Sequence, residues 1–242
     1  MSAPLLEVRG VTKRFAGVVA NDDVSFSVGE GEIVSIIGPN GAGKSTVFGC
    51  VTGFHRPDAG QVLWRGRDIT GFKADRICRM GIARTFQIVQ VIGDMTVLEN
   101  VMTGAFLRAP GRTAARRRAE EVMAVTGLAD RHDFLGSALT IADKKRLEVA
   151  MALATGPRLL MLDESMAGLT PVELQQIIAL LREVRRQGLT LVIVEHVMEA
   201  VMQLSDRVIV LNSGKKLTEG TPREVVDDPR VIQAYLGERY RA

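Results

Sequence analysis

The sequence predicts an α/β protein whose core is preceded by a β-rich N-terminal layer. The core is predicted by three nearly continuous apolar runs at residues 33–37, 159–162 and 189–194. Such runs are typical of strands that are buried on both faces of a sheet. Apolar and polar residues alternate at 6–9 and 24–28, and this period of two predicts half-exposed antiparallel strands in the N-terminal layer.

A well-marked helix is predicted between the last two apolar runs. Thr170 caps it, Pro171 takes the first helical position and Glu173 completes a capping box. Gly188 ends the helix. Its apolar stripe consists of Leu174, Ile177, Ile178, Leu181 and Val184. A strand, a helix and a strand of these lengths predict a right-handed parallel crossover.

The middle of the chain, roughly residues 89–156, has a helical pattern and predicts an insertion into the core. It contains an arginine-rich segment at residues 114–122. No aromatic residues are interleaved with these arginines, so the segment indicates an exposed helix face and not a nucleic-acid site. The net charge of +3 over 242 residues is equally mild, and we expect no nucleic-acid partner.

The sequence predicts a soluble chain inside the cell. The first nine residues lack the basic and apolar pattern of a signal peptide. The longest apolar runs are strand-length, far below the roughly 20 residues that a membrane span needs. Cys50 and Cys78 have no metal-type spacing, and we interpret them as reduced thiols.

The strongest motif follows the first apolar run and matches the pattern G-x-x-x-x-G-K-[ST]. It reads Gly38-Pro39-Asn40-Gly41-Ala42-Gly43-Lys44-Ser45. Glycines let the backbone curl so that its N–H groups point at phosphates, and the following helix N-terminus adds positive charge. Lys44 is expected to reach the β- and γ-phosphates, and Ser45 to offer a hydroxyl to Mg²⁺. The alternative, a glycine-rich turn, does not account for the preceding strand and following helix.

Three further polar residues lie at the ends of the other two apolar runs. Asp163 and Glu164 follow the second run and His196 follows the third. Because ligand sites in open α/β sheets lie at the carboxyl ends of strands, we expect all three near the phosphate loop. Asp163 is predicted to hold Mg²⁺ through the coordination shell of the ion. Glu164 is predicted to accept a proton from the attacking water or to orient that water. His196 is predicted to contact the γ-phosphate, with a structural histidine as the alternative.

Together these residues resemble the nucleotide-binding subunit of ABC transporters, over essentially the whole chain. The loop at 38–45 corresponds to the family's Walker A motif, and 159–164 to Walker B with its catalytic glutamate. Gln87 resembles the Q-loop glutamine, which touches Mg²⁺ or the water and leads into the helical subdomain that faces the membrane subunits. Residues 167–170 resemble the D-loop, and His196 resembles the switch histidine.

The resemblance implies one nucleotide-binding domain over residues 1–242, with a helical subdomain at about 88–157 inserted in a RecA-like core. The ligands that it implies are ATP and Mg²⁺. The implied nucleotide-binding residues are Phe15, Gly38, Pro39, Asn40, Gly41, Ala42, Gly43, Lys44, Ser45, Thr46 and Thr140. Ser45, Gln87 and Asp163 are assigned to the metal, and Glu164, His196 and Gln87 to catalysis. Phe15 falls where the family stacks a ring on adenine, although alone it reads as a core residue of a β layer.

Two segments depart from the family pattern. Where the signature Leu-Ser-Gly-Gly-Gln is expected, the chain reads Leu139-Thr140-Ile141-Ala142-Asp143. In the family this segment clasps the γ-phosphate held by the opposite subunit, and here two glycines are lost. The same residues form a capping-box pattern before an apolar-striped helix, so the helix start is retained. Ser165 replaces the usual proline after the glutamate, which is a lesser departure.

The lost glycines lead to the hypothesis that the chain works in a heterodimer with a second ABC ATPase, a homodimer being the alternative.

The C-terminal stretches 220–224, 228–229 and 234–238, together with 144–148, resemble importer ATPases for branched-chain amino acids. Such systems imply integral membrane permeases, an extracytoplasmic solute-binding protein and a peripheral position on the inner face of the membrane. Urea, short amides and related amino acids stay open as cargo.

Three other functions are alternatives to an amino-acid importer ATPase. A non-transport ABC ATPase in DNA repair or on ribosomes is disfavoured, because tandem cassettes and long coiled-coil insertions are absent from the sequence. An export ATPase for lipid or lipopolysaccharide has a nearly identical cassette. A P-loop kinase is disfavoured, because Glu164 and His196 are suited to positioning water.

Overall fold

The computed structural model describes the backbone of residues 3–239 and the side chains of residues 3–235. Residues 1–2 and 240–242 lie outside the described part of the chain, and the tail residues Leu236-Gly237-Glu238 lie outside the described side chains. Among residues 3–239, every helix falls short of the length and apolar content that a membrane span requires.

The elements alternate along the chain as an α/β fold. The strands are β1 (Leu6–Phe15), β2 (Val18–Val28), β3 (Ile33–Ile37), β4 (Ala59–Trp64), β5 (Arg67–Asp68), β6 (Ile82–Arg84), β7 (Leu159–Asp163), β8 (Thr190–Val194), β9 (Arg207–Asn212) and β10 (Lys215–Gly220). The helices are α1 (Lys44–Thr52), α2 (Ala74–Arg79), α3 (Val97–Ala105), α4 (Arg112–Thr126), α5 (Ile141–Ala154), α6 (Pro171–Arg186), α7 (Met198–Leu204), α8 (Pro222–Val226) and α9 (Pro229–Arg239).

The N-terminal layer is a four-stranded antiparallel sheet with the order β2-β1-β4-β5. Its alternating apolar side chains face the interior, as the sequence predicts; Leu6 and Val8 are buried and the residues between and after them are less so. The register shifts between Val8 and Val11, where Gly10 has a φ of +59°. This bulge lets both valines face the core although they are three residues apart.

The central sheet has six strands in the order β10-β9-β3-β8-β7-β6, and all neighbours are parallel except β10 and β9. Strands β3, β7 and β8 are buried along their whole length, as their continuous apolar runs predict. β7 and β8 are parallel neighbours in which Asp163 lies opposite Val194. The carboxyl ends of these strands therefore meet at one edge of the sheet.

Helix α1 lies between the two sheets. Val47, Phe48 and Val51 are fully buried in a cluster to which both sheets contribute side chains. The other face of the central sheet is covered by α6 and by α5, whose apolar side chains form a second cluster. Because both faces are covered, the strands carry no polar alternation.

The predicted helical segment consists of α3, α4 and α5, which pack on one another between β6 and β7. Helical structure begins at Val97, later than the pattern from residue 89 predicts, and residues 85–96 contain no helix. In α6, the predicted cap is confirmed: Thr170 and Glu173 form a reciprocal capping box and Pro171 opens the helix. The helix ends at Arg186, and Gly188 follows with a φ of +93°.

Candidate functional site

The glycine-rich loop joins β3 to α1 and has backbone angles that favour glycine. Gly38, Gly41 and Gly43 have φ values of +152°, +75° and +97°. A Cβ at Gly43 would lie 2.3 Å from the carbonyl oxygen of Ala20 and 2.4 Å from Asn21 Nδ2. Glycine is therefore required at this position both for its φ and for the close approach of β2.

Lys44 folds back over this loop. Its side chain is buried, and Nζ donates hydrogen bonds of 2.8 Å to the carbonyl oxygens of Gly38 and Pro39. A cleft of about 340 Å³ opens beside the ammonium group. Its lining residues are Ala20, Asn40, Gly41, Ala42, Gly43, Lys44, Ser45, Thr46, Gln87 and Glu164. The cleft combines loop amides, a cation and two hydroxyls, which is the chemistry that a phosphate chain requires.

The Glu164 carboxylate contacts two other residues that are assigned to the site, Gln87 and His196. Gln87 Nε2 donates a hydrogen bond of 2.9 Å to Glu164 Oε2, and His196 Nε2 lies 2.7 Å from Glu164 Oε1. The backbone N–H of Glu164 bonds the carbonyl oxygen of Val194 at 2.9 Å. Glu164 has a φ of +51°, a conformation that L-residues adopt at a cost and that is concentrated at functional sites.

Asp163 lies at the carboxyl end of β7 and only 2% of it is exposed. Arg84 Nη2 donates to Asp163 Oδ2 at 2.9 Å, whereas the other oxygen, Oδ1, is buried and has no hydrogen-bond partner among the described residues. Burial raises the pKa of Asp163, and the positive charge of Arg84 opposes that rise.

The unpartnered oxygen of Asp163 makes the site suitable for Mg²⁺. A buried oxygen without a partner is costly unless an ion or a water satisfies it. The structure has no group of three or more His, Cys, Asp or Glu able to hold a metal among residues 3–235. Mg²⁺ characteristically keeps several waters and binds few protein carboxylates together with substrate phosphates, so this donor set is the expected one. The assignment of Ser45, Gln87 and Asp163 to Mg²⁺ stays a prediction.

Comparison with known proteins identifies the family. Residues 21–167, more than half of the chain, match the family described as ABC transporter. The chain belongs to the ABC transporter family. Residues 215–241 also match the family described as branched-chain amino acid ATP-binding cassette transporter. The predicted family is thereby confirmed.

Known relatives match this ABC ATPase over nearly its whole length. The high-affinity branched-chain amino acid transport ATP-binding protein LivG of Salmonella typhimurium is 43% identical over 98% of the chain and 100% of the relative. The corresponding protein BraF of Pseudomonas aeruginosa is 41% identical, with the same coverage. The lipopolysaccharide export system ATP-binding protein LptB of Acidithiobacillus ferridurans is 35% identical over 98% of both chains.

Solved structures share the fold. A nucleotide-free ATP-binding cassette from an ABC transporter has a TM-score of 0.90 and 31% identity over 96% of this chain and 99% of that one. A dimeric cassette in a post-hydrolysis state, bound to ADP and Pi, has a TM-score of 0.81 and 26% identity over 90% and 99% of the two chains. The predicted ABC ATPase fold is confirmed by these similarities.

The signature segment of this ABC ATPase begins α5. Thr140 accepts the N–H of Asp143 at 3.2 Å and donates its hydroxyl proton to Asp143 Oδ2 at 2.7 Å. The predicted capping box is therefore only half formed, because the buried Asp143 carboxylate pairs with Arg131 and does not return to the backbone of Thr140. Ile141 is 69% exposed at this helix start. Thr140 is not among the residues that line the cleft of its own subunit.

Phe15 lies at the end of β1, and 41% of its surface is exposed. Its ring meets His55 edge to face, with centroids 5.1 Å apart, and Lys13 Nζ lies 5.2 Å from the ring centroid. The structural alternative, a core residue of the β layer, is wrong because a core ring would be buried. An exposed ring is suited to stacking on a base, and that role stays a prediction.

Two supporting groups of the site were missed from the sequence. Ser165 is buried, and its hydroxyl lies 3.1 Å from Thr85 Oγ1, which in turn accepts the N–H of Asp163 at 3.1 Å. This hydroxyl pair accounts for a serine where proline is usual. The second group is Glu195, which is 1% exposed and accepts the N–H of Met166 at 2.7 Å.

Burial raises the pKa of Glu195, and its backbone hydrogen bonds oppose that rise. The signal for Glu195 was available, because a glutamate directly before His196 and at the end of a buried strand is unusual. The signal for Arg84 and Thr85 was weak, since their partners lie about 80 residues further along the chain.

Proposed function

We propose that this chain binds and hydrolyses ATP to power an ABC importer for branched-chain or related amino acids. The observation that carries the hydrolysis is the Glu164 carboxylate, held by Gln87 and His196 at the edge of the cleft that Lys44 lines. The cargo class is supported by the 43% identity to LivG and by the match of residues 215–241. The lower identity to LptB, 35%, favours the importer over a lipopolysaccharide exporter.

The reaction follows from where each group lies. The loop amides and Lys44 bind the phosphate chain, and Ser45, Gln87 and Asp163 would hold Mg²⁺, which would supply positive charge to neutralise the phosphates. Gln87 and His196 hold the Glu164 carboxylate in one orientation, from which it positions the attacking water and accepts its proton. The water oxygen bonds the γ-phosphorus, the bond from that phosphorus to the β,γ-bridging oxygen breaks, and ADP and inorganic phosphate leave. His196 is assigned to contact with the γ-phosphate during this step.

The release of inorganic phosphate from ATP tests this proposal. The complex of this chain with its partner ATPase is expected to release phosphate in the presence of Mg²⁺, whereas the complex that carries Glu164→Gln is expected to bind ATP with little change and to lose at least about a hundredfold in turnover. Normal hydrolysis by Glu164→Gln would show that the water-activating group is elsewhere. Transfer of the phosphoryl group to a small molecule without release of phosphate would support the kinase alternative.

The functional unit that we propose is a dimer with a second, different ABC ATPase. The Thr140 hydroxyl is engaged with Asp143, and an exposed Ile141 side chain stands where the signature pattern has glycine. Both features weaken a phosphate clasp at the first turn of α5. This chain therefore relies on the signature of its partner to complete its own nucleotide site, and the complementary site is slow or structural. The dimeric cassette bound to ADP and Pi offers a precedent for a dimer in the family.

Restoring glycine at positions 141 and 142 tests the heterodimer. In the assembled complex we expect ATP turnover to rise, because the complementary site regains its close approach to phosphate. Lys144→Gly, a glycine substitution on the same helix at a half-buried position, controls for the lower helix propensity of glycine. Unchanged turnover in the doubly substituted complex would contradict the proposal.

The membrane subunits that we propose as partners bind next to Gln87. Four large apolar side chains are exposed around the loop and the ends of α1 and α3: Phe54, Ile88, Ile92 and Phe106. A mostly apolar cleft of about 270 Å³ is lined by Phe54 together with Phe86. Exposed apolar groups of this size mark interaction sites. A permease bound here would hold the chain at the inner face of the membrane.

Uptake of labelled substrates tests the cargo. Cells that carry the complete transport system are expected to accumulate leucine when this chain is intact and to lose uptake when Lys44 is replaced by alanine. Accumulation of urea or a short amide in place of leucine would reassign the cargo. Lipid export without amino-acid uptake would support the exporter alternative.

A further inference from the structure

Helix α5 carries two charged side chains that contact the loops of the catalytic region, and of the two Glu148 is buried and Lys145 half-buried. Lys145 and Glu148 are three residues apart, so they lie on the same face of the helix. Lys145 Nζ donates a hydrogen bond of 2.5 Å to the carbonyl oxygen of Ala167. Glu148 Oε1 accepts the N–H of Phe86 at 2.8 Å, and the backbone of Gln90 also donates to this carboxylate.

Each contact ends beside a residue of the proposed catalytic set. Phe86 directly precedes Gln87, and Ala167 is three residues after Glu164. The two loops are joined to each other by the 2.9 Å bond between the side chains of Gln87 and Glu164. One face of α5 therefore holds the backbones of both loops whose side chains form the catalytic pair.

One of the two charged groups is removed from water and the other is half-buried. Only 6% of Glu148 is exposed, and burial raises its pKa. Burial lowers the pKa of Lys145, an effect opposed by the carboxylates of Glu195, Glu148 and Glu164. Hydrogen bonds from charged groups are about twice as strong as neutral ones, and their loss inside a protein is costly. Charged hydrogen bonds from α5 therefore fix the backbone of both loops, at Phe86 and at Ala167.

We infer that Lys145 and Glu148 are positioning residues that couple the position of helix α5 to Glu164 and Gln87. This inference rests on the proposed function and adds a means of regulation to it. The first turn of α5 is the segment that faces the partner's nucleotide in the proposed dimer. A shift of α5 on binding that nucleotide reaches the hydrolytic site of the same subunit through these two side chains.

Steady-state ATP hydrolysis by the assembled complex, with each substitution made in this chain, tests the coupling. Lys145→Met and Glu148→Leu are each expected to lower kcat by about tenfold or more, because small displacements of catalytic groups cost rate. The KM for ATP should change by less than about twofold, since neither side chain lines the nucleotide cleft. Lys145→Arg and Glu148→Gln retain a donor and an acceptor, respectively, and should restore most of the lost kcat.

Lys144→Met is the matched control. Lys144 lies on the same helix and is similarly half-buried, but its Nζ donates to the carbonyl oxygen of Ser137 at 3.3 Å, away from both loops. Its kcat should equal that of the wild type. The inference is overturned if Lys145→Met and Glu148→Leu keep the wild-type kcat, if KM rises in parallel with the loss, or if Lys144→Met is equally impaired. A wild-type complex that releases no phosphate would instead overturn the proposed function.

Amide hydrogen exchange, measured on the purified full chain, tests independently of turnover whether Lys145 and Glu148 hold the two loops. Amides at residues 164–168 are expected to exchange faster in Lys145→Met, and amides at 86–90 faster in Glu148→Leu, because each loop loses its contact with α5. Lys144→Met should leave both regions unchanged. Wild-type exchange at both loops in the two variants would contradict the inference, whatever the turnover.

Discussion

At the scale of single residues, the sequence predicts the groups that a short motif or a strand end marks. Lys44 and Glu164 are found in the cleft because a loop pattern and a buried strand locate them. Arg84 was not predicted, because its partner Asp163 is brought close only by the folded chain. The capping pattern predicts that the Asp143 carboxylate returns to the backbone of Thr140, whereas in the structure it pairs with Arg131.

Gly43→Ala tests the close approach of β2 to the phosphate loop. The substitution adds the strain of a left-handed residue and a collision with Ala20 and Asn21, and together we expect it to lower the free energy of unfolding by about 3 kcal/mol. Urea unfolding followed by circular dichroism measures the change.

Gly188→Ala is the control for backbone strain alone. Gly188 has a similar φ of +93°, but a Cβ there would have no neighbour within 4 Å. We expect a loss of only about 1 kcal/mol. Equal losses for the two alanine variants would show that the loop is not tightly packed against β2.

At the scale of elements, helix boundaries follow local rules that the sequence carries. The cap of α6 is predicted residue by residue, and α3 and α8 form the same reciprocal box. At α5 the pattern alone is not sufficient, because Arg131, which lies 12 residues before Asp143, competes for the Asp143 carboxylate. A capping pattern therefore predicts the helix start and does not guarantee the reciprocal bond.

Thr170→Ala tests the cap of α6. Removing the hydroxyl leaves an N–H of the first turn without its acceptor, and we expect a loss of about 1 kcal/mol in the free energy of unfolding. Val172→Ala, on the same helix and 68% exposed, should change it by less than about 0.5 kcal/mol. Urea titrations of the two variants give the comparison, and equal stability of Thr170→Ala and wild type would rule out the cap as a contributor.

The acid sensitivity of the same cap is a separate prediction. The backbone N–H and hydroxyl of Thr170 lower the pKa of Glu173 from its ordinary value of 4.5. The folded chain thus binds this proton less tightly than the unfolded chain, so the contribution is complete above about pH 4.5 and is lost as the pH falls through the lowered value. Glu173→Gln should lose less stability than wild type between about pH 6 and about pH 3.5. Identical losses, measured by urea unfolding, would contradict the assignment.

At the scale of the whole molecule, the continuous apolar runs predict a parallel core, and the structure contains it. The strand order is not predictable in the same way, because no local pattern indicates that β3 lies between β8 and β9.

The late start of α3 is likewise not predictable from the local pattern of apolar residues. Residues 85–96 carry apolar side chains that resemble a helical stripe, yet several remain exposed as part of the proposed permease surface.

Replacing Ile88 and Phe106 by aspartate tests that surface. The two side chains are 77% and 50% exposed, so we expect folding and ATP binding to be retained. Co-purification with integral membrane subunits should be lost, because charged groups would be buried at the interface. Val172→Asp, at an exposed apolar position on α6, should co-purify normally. Retained co-purification of the double aspartate variant would place the permease contact elsewhere.

We propose that ATP binds with Mg²⁺ beside Lys44, with its γ-phosphate close to Glu164. Calorimetric titration of the full chain with ATP, with Mg²⁺ and with excess chelator, tests it most directly. We predict saturable binding that weakens without Mg²⁺ and that falls by at least about tenfold in Lys44→Ala, because the loop cation contacts the phosphates. Binding that is absent in the wild type, or is indifferent to both Mg²⁺ and Lys44, would contradict the account.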